Sequence, residues 1–326
     1  MLIALRVVVV LAVVLVGLWF LGPREPVGLS PLAAFPSASA DLDAWLAERE
    51  ANHDDLTDGV AKEIVWRDPT SRERTPVSIV YLHGFSATSA ETRPFADDLA
   101  SALGANLHYT RLRGHGRPGE ALAEATVQDW VNDTAEAIAI GQAIGERVVV
   151  IGTSTGGTLA AIAAADPTAF GEMAAVVMVS PNFRVKAAGS ALLTMPFARQ
   201  LVPLLVGEYR EWEPHNRDHG VYWTNRYPNL ALLPMAASVA AAGDIAFESL
   251  AVPAFFVFSD ADQVVDASVT RKVASRWGGE VALFPVDVEP PNDPYSHVIA
   301  GDILSPTLTA PLVEATRDWL VETLDL

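Results

Sequence analysis

In the stretch VVVIGTSTGG, residues 148–157, a hydroxyl sits between glycines directly behind an apolar, β-branched run. Gly152-Thr153-Ser154-Thr155-Gly156 matches G-x-S-x-G, the spacing of a strained strand-to-helix turn that exposes a serine oxygen. Side chains at positions 152 and 156 would collide with neighbouring backbone, and Gly157 leaves room for a helix to approach the strand. Such a serine can attack a carbonyl, provided a base removes its proton. An ordinary tight turn needs one glycine. A phosphate loop needs a Walker lysine or a G-x-G-x-x-G spacing, and neither is present.

The base and its orienting acid follow from chain order. Where a serine turn of this kind stands in a parallel sheet, the order is serine, acid, histidine. His297, in YSHVIAG, is the only histidine after His219. The acid must follow the apolar run 253–259, and Asp260, Asp262 and Asp266 in SDADQVVD all qualify. We take Asp262, because Val264-Val265 can anchor the loop that aims it, with Asp260 second. Its work would be to hold the imidazole in one tautomer and stabilise its charged form. The negative charge that develops on the carbonyl oxygen needs fixed donors. The amides of Thr155, just after the nucleophile, and Phe85, in His83-Gly84-Phe85-Ser86, are the candidates for an oxyanion hole.

These residues require a scaffold of alternating elements. Apolar runs at 77–83, 106–112, 147–152, 175–180, 253–259 and 280–286 read as strands, and 91–103 and 126–141 as helices. Short apolar strands alternating with helices predict an α/β fold, a mostly parallel sheet covered on both faces. Sites in such sheets lie at the carboxyl ends of strands, where Ser154 falls. Residues 181–250 interrupt the pattern with many Leu, Met and aromatic residues and no obvious strand, and read as a cap lying over the sheet. In it Leu192, Met195 and Phe197 are candidates to bind an apolar acyl chain, and ordinary cap core explains them equally well. His215 and His219 are four apart, but no H-E-x-x-H is present and Pro214 and Gly220 disfavour a helix, so no metal site is expected.

The set His83-Gly84-Phe85, Arg113-Gly114-His115-Gly116, Gly152–Gly156, Asp262-Gln263-Val264-Val265 and His297 resembles the α/β-hydrolase superfamily. Within it, residues 60–326 are similar to the serine hydrolases grouped with monoacylglycerol lipases and lysophospholipases. The resemblance implies an eight-stranded sheet with helices on both faces, an esterase-type triad of Ser154, Asp262 and His297, and a helical cap inserted after Ser180. It also implies that Arg113 and His115 shape the edge of the site without belonging to the triad.

Composition narrows the partners. The 326 residues carry 40 acidic and 22 basic side chains, a formal charge of −18, which argues against nucleic acid. Half the chain is apolar and it has no cysteine, which excludes disulfides, thiolate metal sites and a cysteine nucleophile. Residues 1–22 carry only Arg6 before Pro23. As a helix they would rise about 33 Å, enough to cross a membrane with the rest of the chain outside the cytoplasm. Cleavage near Ala38-Ser39-Ala40, releasing a secreted protein, is the alternative. Residues 23–40 then read as a Pro-rich linker and 41–326 as the hydrolase domain. The expected activity is hydrolysis of carboxylic esters of medium-chain or lipid-like acyl groups, through an acyl-enzyme on Ser154 and without a cofactor. A thioesterase with the same triad, or a non-catalytic ligand-binding protein on the same fold, stay open.

Overall fold

Strands β2 (Thr75–Leu82) and β4 (Gly145–Thr153) show how this sequence becomes a sheet buried on both sides. They pair in parallel with Ile79 opposite Val149 and Tyr81 opposite Ile151. Side chains alternate faces along a strand. Val80, Leu82, Val148 and Val150 therefore enter one cluster with Trp130, Val131, Ile138 and Leu159. Ile79, Tyr81, Val149 and Ile151 enter the other with Phe95, Leu99, Leu312 and Leu320. Fully burying each such aliphatic side chain contributes about 1.5–3 kcal/mol, so both faces hold the strands in register.

The computed structural model describes residues 2–32 and 41–326. The remaining strands are β1 (Glu63–Val65), β3 (Asn106–Tyr109), β5 (Ala175–Val179), β6 (Tyr209–Glu211), β7 (Arg226–Pro228), β8 (Ala254–Phe258) and β9 (Val281–Pro285). Seven form one sheet in the order β1-β3-β2-β4-β5-β8-β9, and β6 pairs with β7 separately. Only β1 runs antiparallel within the large sheet, against β3. The helices Val127–Ile144 and Thr155–Ala165 cover one face, and Phe95–Leu103 and Thr309–Leu324 the other. The first of these begins at a capping box, Thr126 with Asp129, which satisfies two otherwise unpaired amides.

Within the hydrolase domain the structure departs from expectation in four places. The described residues give seven strands to the sheet, not eight. Before β1 the chain uses its backbone donors elsewhere, Thr57 N–H on Gly116 O and Lys62 N–H on the Glu50 carboxylate. The helix expected over 91–103 is a single 3-10 turn, Ser89–Glu91, followed by Phe95–Leu103, because Pro94 lacks the N–H that would continue one through it. The cap does contain strands, β6 and β7, which are three residues each and too polar to show an apolar run. The segment around His219 also forms a short helix, Arg217–Tyr222, which Asn216 caps through its side chain.

The membrane-anchor expectation is not supported. Leu2–Leu21 is helical, but among the described residues no helix is long and apolar enough to cross a membrane. Arg6 interrupts the apolar sequence near its start. Its far end is tied down on the protein. Phe197 N–H donates to Pro23 O at 2.7 Å, Arg24 bonds Thr194 O at 2.5 Å, and Arg199 grips Glu25 through two bonds of 2.8 and 2.6 Å. Beyond this, Ser30 O accepts from Gln128 and Leu32 N–H donates to Asn132. Ala38-Ser39-Ala40 lies outside the described residues.

Candidate active site

The serine turn is built from close backbone contacts. A Cβ on Gly152 would lie 2.6 Å from Gly156 O, and one on Gly156 would lie 2.0 Å from Leu82 O. Only glycine lets the strand end and the helix start approach this closely. Ser154 itself takes φ +51° and ψ −113°, a backbone state that costs an ordinary residue about 1–3 kcal/mol. The end of β5 and the loop after it hold it there: its N–H donates to Val179 O at 2.9 Å and its carbonyl accepts Asn182 N–H at 2.9 Å.

Three of the sequence candidates meet. His297 Nε2 lies 3.1 Å from Ser154 Oγ, and His297 Nδ1 lies 2.7 Å from Asp262 Oδ2. The other Asp262 oxygen accepts the Val264 and Val265 amides at 2.7 and 2.9 Å. The expected valine anchor thus acts through its backbone as well as through Val265, which is buried. With Asp262 ionised, Nδ1 carries the proton and Nε2 is left to accept from Ser154. Burial opposes a charged imidazole, but Asp262, Asp293 and Glu91 together outweigh it and hold the His297 pKa above the usual histidine value. Asp260 instead faces solvent and pairs with Arg271 at 2.9 and 2.6 Å, and Asp266 caps the helix Ala267–Arg276.

Thr155 directly follows the nucleophile, and Gly84, the neighbour of Phe85, stands against it: a Cβ there would lie 3.3 Å from Ser154 Cβ. Thr155 is the first residue of its helix, where N–H groups have no intrahelical partner. The Phe85 amide is oriented by His83. Leu112 N–H donates to His83 Nε2 at 3.0 Å, so Nδ1 carries the ring proton and gives it to Gly84 O at 2.9 Å. That draws the Gly84 carbonyl one way and turns the Phe85 N–H of the same peptide plane the other. Burial keeps His83 neutral, its pKa lowered to about 4, which preserves this arrangement at working pH. His115 is buried against His83, Phe85 and Trp130, and Arg113 O accepts the Trp130 indole N–H.

The substrate-binding candidates have other neighbours. Met195 packs with Leu193 and Leu230 on Ala198, Val202 and Leu233. Phe197 lies against Gly22, where an added Cβ would be 2.5 Å from its ring. Leu192 is on the exposed side of the 3-10 turn Ser190–Thr194. His215 and His219 stack at 5.4 Å beside Trp212 and Tyr295. A separate cavity of about 430 Å³ contains charges that pair with one another, Lys62 with Asp133 and Glu136, and Arg111 with Glu50.

Sequence reasoning missed two acids. Asp293 Oδ2 accepts the backbone N–H groups of His297 and Val298 at 2.9 and 2.8 Å. Glu91 is fully buried beside Gly84. Asp293 had one signal, its place in the loop PNDPYSH four residues before His297; Glu91 had none in linear spacing.

A family model described as "Serine aminopeptidase, S33" (Hydrolase_4) matches residues 74–285. The thermostable monoacylglycerol lipase of Bacillus sp. (strain H-257) is 35% identical over 92 residues, 28% of this chain and 36% of that protein, so the match spans about a third of the relative's length. Among solved structures, one from a study of LipS and LipT, two metagenome-derived lipolytic enzymes, superposes with a TM-score of 0.66 at 18% identity, covering 82% of this chain and 99% of that one. A soluble variant of the monoglyceride lipase of Saccharomyces cerevisiae, in complex with a substrate analog, superposes with a TM-score of 0.59 at 13% identity, covering 81% and 91%. These two likenesses establish a shared fold. The family match spans more than half of the chain and runs from β2 through β9, and the protein belongs to the S33 family of α/β-hydrolases.

Proposed function

We propose that this protein is a serine hydrolase that cleaves carboxylic esters of lipid-like or medium-chain acyl groups through an acyl-enzyme on Ser154. The observation that carries the reading is the continuous chain Ser154 Oγ–His297–Asp262, with bonds of 3.1 and 2.7 Å, at the carboxyl ends of parallel strands. Ser154 Oγ attacks the ester carbonyl while His297 Nε2 takes its proton. The tetrahedral oxyanion is held by the Phe85 and Thr155 amides. His297 then gives the proton to the leaving alcohol. Water, deprotonated by the same nitrogen, attacks the acyl-enzyme and releases the acid.

The acyl preference is supported by the names of the relatives, a monoacylglycerol lipase and a monoglyceride lipase, and by the apolar side chains that the cap leaves exposed, Leu192, Leu204, Leu205 and Val206. Each methylene buried against such surface adds about 0.8 kcal/mol, nearly fourfold in affinity. The test pairs fluorophosphonate labelling of Ser154 with turnover across a series of soluble esters of rising acyl length. Labelling with kcat/KM rising from acetyl to medium chains is the expected result. Folded protein that takes no label would end the hydrolase reading. Labelled protein that prefers acetyl esters would end only the acyl assignment.

A further inference from the structure

Glu91 stands outside the triad but is wired into both halves of the site. Its Oε1 accepts the Gly84 N–H at 2.6 Å and the Tyr81 O–H at 2.9 Å. Tyr81 has one proton, and Thr92 Oγ1 already donates to its oxygen at 2.7 Å. The Thr153 hydroxyl, 2.9 Å from the same oxygen, must therefore be a donor too. The result is one chain of bonds, Gly84 to Glu91 to Tyr81 to Thr153. It starts in the loop that presents the Phe85 amide and ends on the residue immediately before Ser154. No donor reaches Glu91 Oε2 among the described residues. Gly84 stands against both Glu91 and Ser154: a Cβ on it would lie 2.9 Å from Glu91 Oε2 and 3.3 Å from Ser154 Cβ.

We propose that Glu91 is a positioning residue: its carboxyl locks the Gly84 peptide to the strand end carrying Ser154, and its un-ionised form does so without adding negative charge beside the Phe85 amide. The proposal rests on the acyl-enzyme reading above. An ionised carboxylate bonded to the Gly84 N–H, one residue from the Phe85 amide, would oppose negative charge developing there. A carboxylic acid keeps both bonds to Oε1 and carries no charge. Burial favours that form and raises the Glu91 pKa to about 7, against the lowering effects of Gly84, Tyr81 and His297.

The groups that face Glu91 are few. Tyr81 comes from β2, Thr153 and Ser154 from the end of β4, and His297 from its loop, with Asp262 and Asp293 behind it. On its own turn, Thr92 faces Tyr81, while the Arg93 guanidinium turns away to Glu63 and Asp97. Ionisation of Glu91 therefore acts on His297 as well, favouring the imidazolium.

The experiment measures kcat and KM for a soluble ester from about pH 5 to about pH 9 in the full chain, Glu91→Gln and Glu91→Ala. The wild type should give a bell, rising as His297 loses its proton and falling as Glu91 ionises. Gln keeps an oxygen for both donors and cannot ionise. Its alkaline limb should vanish and its acidic limb move to lower pH. Ala should lower kcat by about tenfold or more at every pH, with KM changed by less than about threefold. A Gln profile superimposable on the wild type, or an Ala variant with wild-type kcat, overturns the proposal. Should the Ala variant fail to fold, the Gln profile decides alone. Fluorophosphonate labelling of the wild type separates the two readings. Protein that labels and turns over ester, yet shows coincident profiles, removes only the role of Glu91. Protein that does neither removes both.

Discussion

Asp293 holds the backbone of His297, while Asp262 holds its ring. One oxygen of Asp293 takes two consecutive amides, those of His297 and Val298, and the other accepts Tyr295 N–H at 3.1 Å. The histidine loop is thus closed on itself before the imidazole meets Ser154. Asp293→Ala leaves buried amides without an acceptor, a loss of about 1–3 kcal/mol. Both the unfolding free energy and kcat should fall, and Asp293→Asn, which keeps one acceptor oxygen, should recover part of each. Equal activity in Ala and wild type would show that the loop holds His297 without this residue.

Ser154→Ala should leave the fold intact and lower turnover by up to about a million-fold, the scale seen when a triad serine is removed. Circular dichroism checks the first half and ester hydrolysis the second. A purified variant retaining a tenth of the activity would exclude Ser154 as nucleophile.

Asp262→Asn should cost about 10⁴ in kcat, because the amide no longer fixes the imidazole tautomer. Asp260→Asn breaks only an exposed pair with Arg271 and should stay within about twofold of wild type. The reverse ranking would transfer the orienting role to Asp260.

The raised pKa of His297 has a sign that can be measured. A base raised on folding contributes stability below its unfolded pKa, about 6.5, and loses that contribution as pH rises through the folded value. Asp262 is the leading favourable cause. Asp262→Asn should therefore destabilise the fold more near pH 5 than near pH 9, as read from denaturant midpoints. A destabilisation larger at alkaline pH would contradict the assignment.

Much of this was legible in linear sequence for a physical reason. Strands buried on both faces must be continuously apolar, so β4, β5 and β8 stand out. A nucleophile turn needs glycine at particular neighbours, so Ser154 stands out too. Asp262 was separable from Asp260 only through the valine that follows it. Glu91 and Tyr81 were not legible, because their bonds join residues that only the sheet brings together. The strands β6 and β7 were hidden because three exposed or polar residues carry no period. The bonds that Pro23, Arg24 and Glu25 make to the cap were not legible either, since hydropathy carries no record of hydrogen bonds.

Those bonds make a prediction of their own. A chain beginning at Asp41 retains every triad and oxyanion candidate, and we expect it to fold and cleave a small soluble ester. It lacks the partners of Thr194, Phe197 and Arg199. Amide exchange should accelerate over residues 190–206 relative to the full chain, while the sheet is unchanged. Unchanged exchange there would mean that the N-terminal contacts contribute nothing to the cap.

A plate fixed along one line can swing, and a plate fixed at points off that line cannot. The cap leaves the sheet at Pro181 and rejoins it after Leu250, two covalent supports that would define a hinge axis. It is also fastened by Thr224 N–H on Ser86 O, by the Asn216 side chain on Ile303 O, and by Phe197 N–H on Pro23 O. The cap is braced like a table on struts. To swing about its two chain connections, the cap would have to break these bonds.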